Sequence, residues 1–161
     1  LSLSHEIAKS CGGEVGTKAL DFELDSADGE KVKLSDRYAK GCLLLDFWAS
    51  WCRPCIAEIP KLELLHDKYG DKLQILSISV DEDRGQWHKA LEQHNLTAWP
   101  QLIVDRPADG DSYYFRAQSD LATAYGVTEI PCFLLVDSHG VIIGRWPHLT
   151  DDVIDEILTK I

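Results

Sequence analysis

Leu43-Leu44-Leu45-Asp46-Phe47-Trp48-Ala49-Ser50-Trp51-Cys52-Arg53-Pro54-Cys55 runs from a nearly continuous apolar segment into two cysteines three residues apart. The apolar part reads as a strand buried on both faces of a sheet, ending at a turn. Beyond Cys55 the spacing becomes helical: Ile56, Ile59, Leu62 and Leu65 recur every three or four residues until Gly70 stops the pattern. Pro60 falls inside this helix, where it removes a backbone donor and is expected to kink the axis.

Two thiols at this spacing on a strand-to-helix turn point to redox chemistry, because the first helical turn can hold them close enough to close a disulfide ring. Cys52 precedes the helix and is expected to remain exposed. Orphan backbone donors and the helix dipole favour its thiolate, which is the attacking species in thiol–disulfide exchange, so Cys52 is the candidate nucleophile. Cys55, one turn in and expected to be more buried, is the candidate resolving thiol. Arg53 has two readings, a charge that lowers the Cys52 pKa further or a solvated side chain of little effect. Pro54 restrains the loop. Trp51 and Trp48 can form an apolar rim around the thiols, with core packing the stronger reading for Trp48. Asp46 lies in the middle of the apolar strand, where an ionised carboxylate is costly, so its pKa is expected to rise unless something pairs with it.

The segment Asp46-Phe-Trp-Ala-Ser-Trp-Cys52-Arg-Pro-Cys55, with Pro60 five residues after the second cysteine and Ile130-Pro131 near the C-terminal end, resembles thioredoxin. More closely, it resembles the TlpA/ResA-like branch of that superfamily, over roughly residues 17 to 161. The resemblance implies an α/β, thioredoxin-like fold: a central mixed sheet flanked by helices, with an N-terminal β-hairpin and an insertion after the central strand-helix unit. It implies a thiol–disulfide oxidoreductase that reduces a disulfide-containing protein substrate and is recharged by an upstream thiol–disulfide electron donor. No cofactor and no metal are expected. Asp46 matches the buried aspartate that assists deprotonation of the second cysteine through water; a structural aspartate hydrogen-bonded in the core is the alternative. Ser77 stands where many thioredoxins carry a lysine near that aspartate. Pro131 matches the family's cis-proline, which leaves the Ile130 backbone free to pair with an extended substrate.

Composition fits one domain and narrows the partners. At 161 residues, 45% hydrophobic and 27% charged, the chain can bury a single core. A formal charge of -11 argues against nucleic acid or an anionic membrane, since both polyanions require basic patches. No apolar stretch approaches the roughly 20 residues of a membrane span. The chain begins with Leu1 and contains no methionine, so it reads as a processed protein or an expressed fragment. Residues 1–16, including Cys11, read as an extension or linker, and residues 17–161 as the thioredoxin-like domain. Relatives implied by the resemblance work in the bacterial periplasm, so a periplasmic or otherwise extracytoplasmic location is expected. The cytoplasm is the alternative, because three cysteines outside the pair could mispair in an oxidising compartment.

The remaining pattern agrees with a βαβ alternation. Asp28-Gly29 separates two short strand signals, Asp21–Leu24 and Lys31–Leu34, as a hairpin. Ser35-Asp36 is expected to cap a short helix. Leu73–Val80 and Gln101–Val104 read as strands and Arg84–Asn95 as an amphipathic helix. Ser119–Tyr125 follows as a short helix, Cys132–Val136 and Val141–Arg145 as a hairpin, and a helix begins at Thr150. Tyr113-Tyr114-Phe115-Arg116 is read as a surface loop packed on the core, with a substrate-groove wall as the sharper alternative. Cys42 and Cys132 lie in apolar strands and read as buried hydrophobes. Two other functions fit less well. A thioredoxin-fold peroxidase needs a different cysteine loop, and a zinc module needs four ligands where a single C-x-x-C and dispersed histidines stand.

Overall fold

The computed structural model describes residues 13–104 and 121–161. Asp28-Gly29 turns the chain between β1 (Glu23–Asp25) and β2 (Lys31–Lys33), an antiparallel hairpin in which Gly29 has φ 88°. Only glycine takes that conformation without strain. In α1 (Leu34–Tyr38) the expected caps do not cap: Ser35 and Asp36 lie inside the helix. The Ser35 N–H and hydroxyl instead donate to Asp21, at 2.9 and 2.8 Å. A carboxylate from outside the helix thus satisfies its first turn.

The order continues with β3 (Cys42–Trp48), α2 (Arg53–Ala57), α3 (Ile59–Tyr69), β4 (Leu73–Ser79), α4 (Arg84–Gln93) and β5 (Gln101–Ile103). From Leu121 onward come α5 (Leu121–Ala124), β6 (Cys132–Val136), β7 (Ile142–Trp146) and α6 (Asp151–Lys160). The large sheet has the order β5-β4-β3-β6-β7, with β3, β4 and β5 parallel and β6 and β7 antiparallel. This mixed sheet flanked by helices, with a separate N-terminal hairpin, is the thioredoxin-like fold. Cys11 and the Tyr113–Arg116 segment lie outside the described residues.

β3 occupies the centre because both of its faces are apolar. Leu43, Leu45 and Phe47 pack with Leu76, Ile78 and Leu134 on one side, and Leu44 packs with Leu62, Leu65, Phe133 and Ile157 on the other. Each such buried side chain contributes about 1.5–3 kcal/mol over an exposed one. Both sheet edges are covered, which removes a template for unwanted pairing. Ala27 N–H donates to the Gln101 carbonyl on the β5 side, and Gly16, Thr17 and Ala19 bond along Gly140–Ile142 on the other. The Arg145 guanidinium joins the Gly13, Tyr125 and Gly126 carbonyls, each at 2.8 Å, so residues 13–16 lie against the domain.

The kinked helix expected after Cys55 is two helices. Pro60 sits in the first turn of α3 and has no N–H to give the Ile56 carbonyl, so the axis breaks at Glu58. Among the described residues no helix is long and apolar enough to cross a membrane.

Candidate redox site

β3 delivers the chain to the turn and α2 receives it with Cys52 as its N-cap, in extended conformation at φ -93° and ψ 100°. The Cys55 N–H donates to the Cys52 sulfur at 3.3 Å, and a disulfide joins the two residues with their Cα atoms 5.2 Å apart. An orphan helix donor is therefore aimed at the sulfur that carries negative charge after reduction. Both cysteines are only 4% exposed, which corrects the expectation of an exposed Cys52 and a more buried Cys55. The Ile130 carbonyl oxygen lies 3.8 Å from the Cys52 sulfur. Trp51, 69% exposed, is what the turn presents to solvent. Arg53 and Pro54 are exposed beside it, while Trp48 packs in the core with Cys52, Cys55 and Trp87.

Asp81 anchors this turn, a role that sequence pattern does not reveal. Its buried carboxylate accepts the Ser50 N–H at 2.9 Å, the Ser50 hydroxyl at 2.6 Å and the Ser79 hydroxyl. The loop between β3 and α2 is thereby tied to the end of β4. On the opposite side, the Ile130–Pro131 peptide bond is cis, as the resemblance implied. A groove of about 650 Å³ runs beside the turn, with Trp51 and Ile130 among its walls and Glu82, Asp83 and Glu129 along it.

Asp46 points to the Leu44 side of β3 by strand alternation. Burial pushes its pKa up to about 7; the Ser77 hydroxyl, 2.7 Å away, opposes the rise and the Glu58 charge adds to it. Glu58 itself is buried at the break between α2 and α3. Its Oε2 accepts the Leu149 N–H at 2.7 Å, and Lys61 and His148 approach Oε1 at 3.8 and 4.0 Å. The only sequence signal for Glu58 is its position three residues after Cys55, on the side of the helix that carries Leu62 and Leu65.

Cys42, half-buried rather than buried as expected, and Cys132, buried, are free thiols. Burial raises the thiol pKa of both; for Cys132 the nearby Arg145 opposes the rise and Asp46 adds to it, and for Cys42 Asp137 adds. In the folded, reduced protein, iodoacetamide is therefore expected to label Cys52 first and Cys42 and Cys132 slowly. Mass spectrometry of partially labelled protein checks this. Preferential labelling of Cys132 would place that thiol in the exchange chemistry.

The model of the AhpC/TSA family matches residues 15–145. The thioredoxin-like protein YneN of Bacillus subtilis is 33% identical over 137 residues, 83% of this chain and 72% of that protein. The thiol-disulfide oxidoreductase ResA of Geobacillus thermodenitrificans is 33% identical over 129 residues, which are 80% of this chain and 66% of the relative. Among solved structures, the exposed lipoprotein thioredoxin Etrx1 of Streptococcus pneumoniae superimposes with a TM-score of 0.68 at 26% identity, covering 88% of this chain and all (100%) of that one.

Proposed function

The chain belongs to the AhpC/TSA family and is a thiol–disulfide oxidoreductase, and we propose that it runs as a reductant of protein disulfides outside the cytoplasm. The observation that carries this reading is the Cys52–Cys55 disulfide on the strand-to-helix turn, with Cys52 as the helix N-cap. The extracytoplasmic location is supported by the similarity to an exposed lipoprotein. Residues 17–161 are assigned as the redox domain, and residues 1–16 as an extension.

In the reduced protein, the Cys52 thiolate attacks one sulfur of a substrate disulfide. A Cys52–substrate disulfide forms and the other substrate sulfur leaves as a thiolate. Cys55, once deprotonated, attacks the Cys52 sulfur, closing the Cys52–Cys55 bond and releasing the second substrate thiol. Two electrons have passed to the substrate, and an upstream dithiol donor restores the pair. Asp46 is assigned as the base that takes the Cys55 proton, since a carboxylate titrating near neutrality can both accept and return it. Trp51, Arg53, Pro54 and the backbone of Ile130 and Pro131 are assigned to substrate contact. Exposure supports this for Trp51, Arg53 and Pro54, and a position on the groove beside the thiols supports it for Trp51 and Ile130; Pro131, which is buried, is assigned on the family resemblance.

The reduction potential of the pair tests the direction. A value near thioredoxin's, about -270 mV, is expected; a value near about -120 mV, as in a strong oxidant, would reverse the assignment. Equilibration with glutathione buffers, read by alkylation of the Cys52–Cys55 thiols, gives the number.

A further inference from the structure

Asp46 has a hydrogen-bonded chain of its own. Ser77 lies opposite it in the β3–β4 register, and the Ser77 hydroxyl donates to Asp46 Oδ2 at 2.7 Å. Ser77 Oγ in turn accepts the Trp99 indole N–H at 2.8 Å. Backbone bonding brings Trp99 there: the Ser77 N–H donates to the Pro100 carbonyl at 3.2 Å, which holds the segment entering β5 against β4. All three side chains are buried, so bulk solvent does not compete for these bonds.

An indole nitrogen is a donor and never an acceptor, and a serine hydroxyl has one proton. With the Trp99 proton on one lone pair of Ser77 Oγ, the hydroxyl proton is steered to the remaining acceptor, Asp46. The chain therefore runs one way, from Trp99 through Ser77 to Asp46. We propose that Ser77 and Trp99 are positioning residues for proton transfer, keeping a hydroxyl proton on the Asp46 carboxylate so that this group can ionise inside an apolar sheet. The inference rests on the assignment of Asp46 as the base for Cys55.

A hydrogen bond to the charged form favours that form. Other titratable groups also face this chain. Glu58 acts on Asp46 from the α2–α3 break, the Cys132 thiol of β6 feels the Asp46 charge from the other face of the sheet, and the His66 ring of α3 lies 5.5 Å from the Trp99 ring. The readout must therefore be the Asp46 carboxyl itself. A carbon-detected NMR titration of the aspartate-labelled full chain, with thiols reduced, supplies it, and stopped-flow exchange gives the release rate.

Ser77→Ala is expected to move the Asp46 midpoint up by about one pH unit. Release at pH 7 should then slow roughly fivefold, as the ionised fraction falls. Ser77→Thr retains a hydroxyl and should restore both. Trp99→Phe keeps the serine but frees its rotor, and should move the midpoint in the same direction by less. In an Asp46→Asn background, Ser77→Ala should leave release unchanged. If neither Ser77→Ala nor Trp99→Phe moves the midpoint, the proposal is overturned; if Ser77→Ala does not fold, Ser77→Thr and Trp99→Phe decide it. A midpoint that moves while release does not would retain the hydrogen-bond chain and remove Asp46 from the reaction, so the two readings fail separately.

Discussion

Replacing Cys52 by serine is expected to take insulin-disulfide reduction, driven by a small dithiol, down to the uncatalysed background, a loss on the order of a hundredfold or more. A serine hydroxyl in the same N-cap position can accept the helix N–H, so the fold is retained. It cannot form the covalent sulfur bond that divides the exchange into two displacements. Replacing Cys55 by serine should have a different signature. The first displacement remains possible, because Cys52 is still a thiolate at a helix start, but nothing inside the protein can attack the resulting bond. A Cys52–substrate adduct should then accumulate, visible by non-reducing electrophoresis and released by added thiol. Full turnover by Cys52→Ser would remove the central assignment.

Replacing Asp46 by asparagine should slow the release step more than the initial attack, and should stabilise the protein at neutral pH. The kinetic half follows from the two displacements. In the proposed mechanism Cys52 is activated by its N-cap position, whereas Cys55 needs a base. The stability half follows from the sign of the shift. The Asp46 carboxyl titrates near 7 in the folded protein and near 3.9 when unfolded. Below about pH 4 both states are protonated and the residue costs nothing. As the pH rises from about 4 to about 7 the unfolded chain ionises first, so wild-type stability falls through this window, and the cost is complete above it. The full cost is on the order of 4 kcal/mol, which the asparagine variant avoids. Urea unfolding of both proteins at pH 4 and pH 8 should show little difference at the lower pH and the greater stability of Asp46→Asn at the higher. Lost stability together with unchanged release would make Asp46 a structural residue.

What could be read without coordinates shares one property: the cause lies within a few residues of the effect. The Asp28-Gly29 turn needs one glycine at positive φ. The central strand needs only a run of apolar residues, and the redox pair needs only two cysteines across one helical turn. Even the raised pKa of Asp46 follows from a carboxylate set among leucines and aromatics. The mixed sheet with its N-terminal hairpin was legible because the resemblance implied it, whereas the strand order β5-β4-β3-β6-β7 came only from the structure.

Polar partners were not legible, because a buried donor or acceptor takes whichever group the fold brings within about 3 Å, and no periodicity records that choice. Ser35 is bound by Asp21, 14 residues away, instead of capping its own helix. Asp81 reaches back 31 residues to Ser50 and holds the active-site turn, and Glu58 reaches 91 residues forward to Leu149. The Cys52 sulfur likewise lies against a carbonyl 78 residues later in the chain. Sequence alone therefore pointed to the Cys52–Cys55 pair and to the cost of ionising Asp46. Only the folded chain decided what offsets that cost, because Ser77 meets Asp46, and Trp99 meets Ser77, through strand register and loop packing.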